Sequence, residues 1–178
     1  MKKILAIALL TAGFAVSAPA VIVGASVGYL TDSKEAYFAV RAGTEFSSNA
    51  TLSHNGEFEI GYTSDSEGGA KASILPLTLN YRAQFAGTGK IGGYAGFGAG
   101  FARTSVSVPG SGLPRISANG TSFAAQGFAG VSFQLSPTAS LDFGARYIWI
   151  DDVKLQLWGV KAEVGDDLAL ECSLHLRF

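Results

Sequence analysis

The chain has 178 residues, a formal net charge of −1, 23 glycines, 12 phenylalanines and one cysteine. Near-neutral charge with few lysines leaves no basic face, which excludes nucleic acid as a partner. A single cysteine excludes an intrachain disulfide, and with only two histidines beside it a structural zinc site is excluded as well.

The chain opens with Met1-Lys2-Lys3, an apolar run from Ile4 to Val16, and the small residues Ser17-Ala18-Pro19-Ala20. This order of charge, apolar run and small residues predicts a secretory signal peptide over residues 1–20. Cleavage after Ala20 satisfies the small-x-small rule through Ala18 and Ala20, so the mature domain is expected to be 21–178. The competing reading is an uncleaved anchor from Ile4 to Leu30, and Pro19, Gly24 and Gly28 argue against one helix there. No cysteine lies near the cleavage site, so a lipoprotein anchor has no attachment point.

Beyond Val21 the hydrophobic period is two. Strands are predicted at Val21–Thr31, Ala36–Phe46, Ala50–Thr63, Ala70–Phe85, Ile91–Val106, Thr121–Leu135, Ala139–Asp151 and Leu168–Phe178, an even set of eight. The connections Ser47-Ser48-Asn49, Gly87-Thr88-Gly89 and Ser136-Pro137-Thr138 are tight. Those around Pro109–Asn119 and Asp152–Asp167 are long. An all-β, antiparallel, up-and-down closed barrel follows, and one of eight strands is just wide enough for side chains to fill.

That capacity assigns the faces. In the fifth strand Ile91, Ala95, Phe97, Ala99 and Phe101 share one parity, against Gly92, Tyr94, Gly96, Gly98 and Gly100. The fourth opposes Leu75, Leu77, Leu79, Tyr81 and Phe85 to Thr78, Asn80, Arg82 and Gln84. In the seventh, Leu141, Phe143, Tyr147 and Trp149 oppose Asp142, Gly144 and Arg146. The expected arrangement is apolar outside and polar inside. A soluble, lipocalin-like ligand-binding barrel inverts it, and would then show water a Gly- and Ala-rich face. Tyr29, Phe38, Phe46, Tyr62, Phe85, Phe101, Phe133, Tyr147, Trp149 and Phe178 fall near strand ends, where membrane barrels carry aromatic girdles.

The last strand places Leu170, Cys172, Leu174, Leu176 and Phe178 on one face. With Gly93 to Ala102, Gln126 to Phe133 and Leu141 to Tyr147, this ending resembles the OmpA/OmpX-type small outer-membrane β-barrel family over essentially the whole of residues 21–178. The resemblance implies an eight-stranded transmembrane β-barrel in the bacterial outer membrane, with short turns periplasmic. It further implies contact with outer-membrane lipids, and a barrel assembly machinery that reads Leu174, Leu176 and Phe178.

Arg41, Glu45, Glu57, Glu59, Arg82, Asp142, Arg146 and Glu171 read inward near mid-barrel and are expected to form a lumen charge network. The expected pairs are Arg41 with Glu57, Glu57 or Glu59 with Arg82, and Arg146 with Glu171. A monomer is expected, and a filled lumen argues for a structural or surface-interaction role and against bulk transport. Leu113, Arg115, Lys154 and Trp158 are the candidate surface-contact residues. An outer-membrane lipid-modifying enzyme is the alternative. Ser53-His54 hints at an esterase, but adjacent strand residues point to opposite faces and no nucleophile elbow is present. No cofactor is expected, because the Gly-x-Gly repeats of the fifth strand are not followed by a helix.

Overall fold

The computed structural model describes residues 20–67, 70–108, 116–154, 161–162 and 166–178. Eight strands form the barrel: β1 (Val21–Leu30), β2 (Ala36–Ser48), β3 (Leu52–Glu67), β4 (Ala70–Phe85), β5 (Ile91–Val108), β6 (Ile116–Ser136), β7 (Ala139–Ile150) and β10 (Asp166–Arg177). All neighbours are antiparallel, and the barrel closes where β1 pairs with β10 from Ile22↔Arg177 to Leu30↔Ala169. Between β7 and β10, β8 (Val153–Lys154) and β9 (Lys161–Ala162) form a separate two-stranded ribbon. The strands of one hairpin run further than the turn signals suggest, since β5 and β6 stay paired out to Val108↔Ile116.

The faces follow the parity of the sequence. Leu79, Phe97 and Phe101 point outward and are among the most exposed large apolar residues, while Arg82, Arg146, Asn55 and Asp142 are buried inside. A soluble barrel needs the reverse, so the lipocalin-like reading is set aside. The ten aromatic residues expected at the girdles all face outward. Phe46, His54, Tyr81 and Phe97 make one continuous group near the short-turn end, with Tyr81 and Phe97 rings 5.4 Å apart.

One part of the interior departs from the polar-inside rule. Leu30, Tyr37, Ile148, Ile150 and Ala169 are buried together at the long-loop end, with Ile74 packed against them. They sit above the charged residues and screen them from that side. Pro76 lies at the same level. It cannot donate to a ladder, and the β3–β4 pairing lapses there between Ile60↔Leu77 and Thr63↔Ile74, with the same register on either side.

The β1–β2 loop is tied to the barrel rim by Asp167. Its carboxylate accepts from the backbone N–H of Asp32 and Ser33, at 3.1 and 3.0 Å, and from the Ser33 hydroxyl at 2.7 Å. Burial alone would raise this carboxyl, but the bonds from Ser33, Asp32 and Leu168 outweigh it and hold it below the ordinary carboxylate range. A depressed folded-state value stabilises the loop above the ordinary carboxylate range, and that contribution disappears as pH falls through the folded-state value. The protection factors of the Asp32 and Ser33 amides, exchange corrected for its intrinsic pH dependence, should therefore fall on acidification, and Asp167→Asn should show the lowered protection already at neutral pH. Equal exchange in the two proteins would rule out the tie.

Candidate functional site

The lumen is crossed by charged side chains from β2, β3, β4, β7 and β10. Arg146, at 0 % exposure, forks onto Glu171 through Nε to Oε2 at 3.1 Å and Nη2 to Oε1 at 3.2 Å, and reaches Glu59 through Nη1 at 2.8 Å. Arg41 bridges the same two acids from the opposite side, with Nη2 3.2 Å from Glu59 and 3.6 Å from Glu171. Two cations and two anions thus alternate in a closed ring. Tyr37 and Gln126 each donate to Glu59 at 3.3 Å, and Ser26 accepts from Arg41 at 3.0 Å. Charge-assisted bonds of this kind, particularly the bidentate guanidinium–carboxylate fork, are the strong ones in a site shielded from water.

A second cluster lies nearer the short turns. Arg82 pairs with Asp142, and the same carboxylate is 2.8 Å from His175 Nδ1. His175 Nε2 is 3.4 Å from Arg41, which joins the two clusters. Aromatic faces back the guanidinium groups: Arg82 lies 3.9 Å from the Tyr94 ring centroid and Arg146 4.9 Å from that of Phe128. Glycine makes the room. A Cβ on Gly24 would overlap His175 and Arg41, and one on Gly96 would overlap the Phe128 ring. The Gly-rich inner face and the bulky charged network therefore require one another.

The structure brings Arg41, Glu59, Arg82, Asp142, Arg146 and Glu171 together, and corrects two of the expected members. Glu57 does not pair with Arg41 or Arg82: it stands beside Gly43 and Asn80 in register, and neither of its carboxylate oxygens has a partner. Glu45 lies at the rim and pairs with Arg177 at 2.9 Å. Arg82 also faces neither Glu57 nor Glu59. Its partner, Asp142, stands on β7, so the pair spans the lumen instead of joining adjacent strands. His175, Tyr37, Gln126 and Tyr94 complete the network, and inward parity was the signal available for each. Leu174, Leu176 and Phe178 face outward as a row. Leu113, Arg115 and Trp158 lie outside the described residues, as does the side chain of Lys154.

Neither histidine is set up as a base beside a nucleophile. His175 directs Nδ1 to Asp142, but its Nε2 faces the Arg41 guanidinium where a hydroxyl would be needed. His54 is on the outer face, with Nδ1 2.6 Å from the Tyr81 hydroxyl.

Breaking the Arg82–Asp142 pair offers a direct check of its energetic standing. Arg82→Ala and Asp142→Ala should each destabilise the barrel. The double replacement should cost less than their sum, because each single change strands a buried charge. A cycle in denaturant titrations with no coupling would show that the two side chains are independently hydrated.

The description "outer membrane protein beta-barrel domain" belongs to the family that matches residues 6–164. No curated protein sequence matches the chain. Among solved structures, Neisserial surface protein A superposes with a TM-score of 0.65 at 18 % identity, covering 89 % of this chain and 96 % of that one. Ail, the attachment invasion locus protein of Yersinia pestis, gives 0.54 at 18 % identity, with coverage of 89 % and 97 %. The outer membrane enzyme PagL gives 0.51 at 17 % identity, with coverage of 87 % and 98 %. These likenesses are of fold.

Proposed function

The chain belongs to the outer membrane protein beta-barrel domain family, and on that premise we propose that it is an integral outer-membrane barrel with a closed lumen and a structural or surface-interaction role. Its place is the outer membrane. The observation that carries the closed lumen is the ring of Arg41, Glu59, Arg146 and Glu171, with Arg82, Asp142 and His175 below it. Each of these side chains is buried, and the apolar cluster of Leu30, Ile148 and Ile150 lies over them. An ion crossing the barrel would have to separate these pairs, so bulk transport is not the role.

In this reading residues 1–20 are a cleaved leader, and the short turns face the periplasm. The β3–β4 and β5–β6 hairpins and the β8–β9 ribbon then project outside the cell, where contact with a surface partner would occur. The barrel works as a monomer in outer-membrane lipid. Lipid-modifying chemistry is the competing reading, and analysis of lipid A acyl chains with and without the protein separates the two: unchanged chains are expected.

The test of the main reading is fractionation with gel migration. The mature protein should appear in the outer-membrane fraction and migrate faster unheated than boiled, since a closed barrel resists detergent unfolding. Wild-type conductance in planar bilayers should stay low and sporadic. A heat-insensitive, periplasmically soluble protein, or a large steady current, would overturn the proposal.

A further inference from the structure

The long-loop end of the barrel holds a cup that the lumen network does not use. Its volume is about 370 Å³, within the range of about 300–1,000 Å³ common to small-ligand sites. Floor and walls are apolar, made by Leu30, Ile74, Pro76, Ile148 and Ile150. Tyr37 closes the bottom, with its hydroxyl already donated to Glu59 beneath. Thr63, 9 % exposed, lines one wall with an inward-facing hydroxyl that has no partner.

The mouth of the cup is acidic. Asp32 and Glu35 from the β1–β2 loop, Asp65 from the end of β3, and Asp166 and Asp167 from the start of β10 stand around it. Asp167 is committed to Asp32 and Ser33, which leaves four carboxylates. Asp32, Asp65 and Asp166 are exposed and Glu35 is half-buried, so all four are open to a ligand. Among the described residues none of the four is in an ion pair, and no lysine or arginine lines the cup. Lys34 is exposed on the loop without lining it, and Lys71 has the outward parity of Leu77 and Leu79. The Glu35 carboxyl is raised above its ordinary value by desolvation and, after it, by the charge and hydrogen bond of the neighbouring Asp65. Two like charges held together are what a bound cation relieves.

The two halves of the cup define the ligand. Among the described residues no three His, Cys, Asp or Glu side chains come together to hold a metal ion, so the carboxylates are spread around the mouth and not focused on a point. An anion is repelled, a neutral apolar molecule leaves the acids unused, and a small inorganic cation leaves the floor empty. We propose that the cup binds an organic cation with an apolar body, the body against Ile74, Ile148 and Ile150 and the ammonium head among Asp32, Glu35, Asp65 and Asp166. Apolar contact supplies most of the affinity. The acidic mouth supplies orientation and selection by charge. This deepens the surface-interaction reading, and approach from outside the cell rests on it. Binding itself needs only the folded barrel, so its failure would leave fractionation and heat-modifiable migration unaffected.

The experiment is a titration of the protein in phosphatidylcholine nanodiscs at neutral pH with phenethylammonium chloride, followed by methyl NMR, with empty nanodiscs correcting for partition into lipid. Phenethyl alcohol supplies the same body without the charge, and methylammonium chloride the charge without the body. Saturable shifts centred on the Ile74, Ile148 and Ile150 methyls are expected with phenethylammonium. Phenethyl alcohol should bind there several-fold more weakly, and methylammonium should not shift those methyls. Glu35→Gln combined with Asp65→Asn should weaken phenethylammonium about fivefold or more, as expected for the loss of several modest exposed charge contacts, and leave phenethyl alcohol unchanged. Ile74→Trp, which takes up space in the cup, should abolish binding of both, and Glu45→Gln at the opposite end of the barrel should change neither. Non-saturating shifts, shifts centred outside the cup, equal affinity for phenethyl alcohol, or full affinity in the double variant would overturn the proposal. The comparison of the three probes on the wild type decides the matter if a variant fails to fold.

Discussion

Arg146→Ala is expected to destabilise the barrel by about 3–5 kcal/mol, the cost of removing one partner from a buried ion pair. Arg146 makes three charge-assisted hydrogen bonds in the lumen. It holds Glu171 by a fork and Glu59 by a single bond, and it packs on the Phe128 ring. Without it, two carboxylates would face each other with only Arg41 between them, and Arg41 lies 3.6 Å from Glu171. Arg146→Lys should recover only part of the loss, because an ammonium keeps the charge but cannot make the fork. Replacing Arg41, Glu59, Arg146 and Glu171 together by packed apolar residues should be less damaging than Arg146→Ala alone, because no buried charge is then left without a partner. Urea titrations of the protein folded into lipid vesicles measure all three variants. A loss below about 1 kcal/mol, the value of an exposed pair, would mean that water fills the lumen and that the closed-lumen reading is wrong.

The faces of the strands were legible because a barrel of eight strands has little interior volume. Phe97 and Leu79 face outward and Gly96 and Gly98 inward, so residue size supported parity on the fourth and fifth strands, while parity alone places the large inward residues Tyr37, Tyr94 and Phe128. The pairings within the lumen were much less legible. Arg41, Glu57 and Arg82 occupy consecutive strands, and pairing neighbours is the natural expectation from sequence. Neighbour pairing holds for Arg146 with Glu171 and for Arg41 with Glu59, but other long side chains in the narrow barrel reach past the adjacent strand. Arg82 meets Asp142 on β7, Arg41 meets Glu171 on β10, and Glu57 is left beside Gly43 and Asn80. Which side chains cross depends on the shear of the closed barrel and on space cleared by glycines such as Gly24 and Gly96, and neither is a property of one strand. The apolar upper lumen was hidden for a related reason. Leu30, Ile148 and Ile150 have inward parity, but the rule that polar residues point inward carries no information about height along the barrel.

Phe178→Ala should sharply reduce the amount of barrel assembled in the outer membrane while leaving the stability of the refolded protein almost unchanged. The side chain is 77 % exposed on the outer face, so its ring contributes little to packing within the barrel. Its backbone is a different matter. Phe178 N–H donates to the Val21 carbonyl at 2.9 Å, and its own carbonyl accepts from Val21 N–H at 3.1 Å, so the last residue closes the seam between the first strand and the last. Deleting it would remove two seam bonds along with the ring and confound recognition with stability. Substitution by alanine keeps both bonds and removes only the ring, so it isolates the role we assign to the terminus in recognition by the assembly machinery. Denaturant midpoints after refolding in detergent should correspond to a change within about 0.5 kcal/mol, as for an ordinary exposed position. The heat-modifiable band in outer-membrane fractions should fall several-fold. Leu170→Ala, a change of similar kind on the same outward face but away from the terminus, should leave assembly near wild type. If Phe178→Ala assembles normally, the terminal ring is not a signal. If it assembles poorly and refolds with equally poor stability, the ring is holding the seam, and the role belongs to the fold and not to recognition.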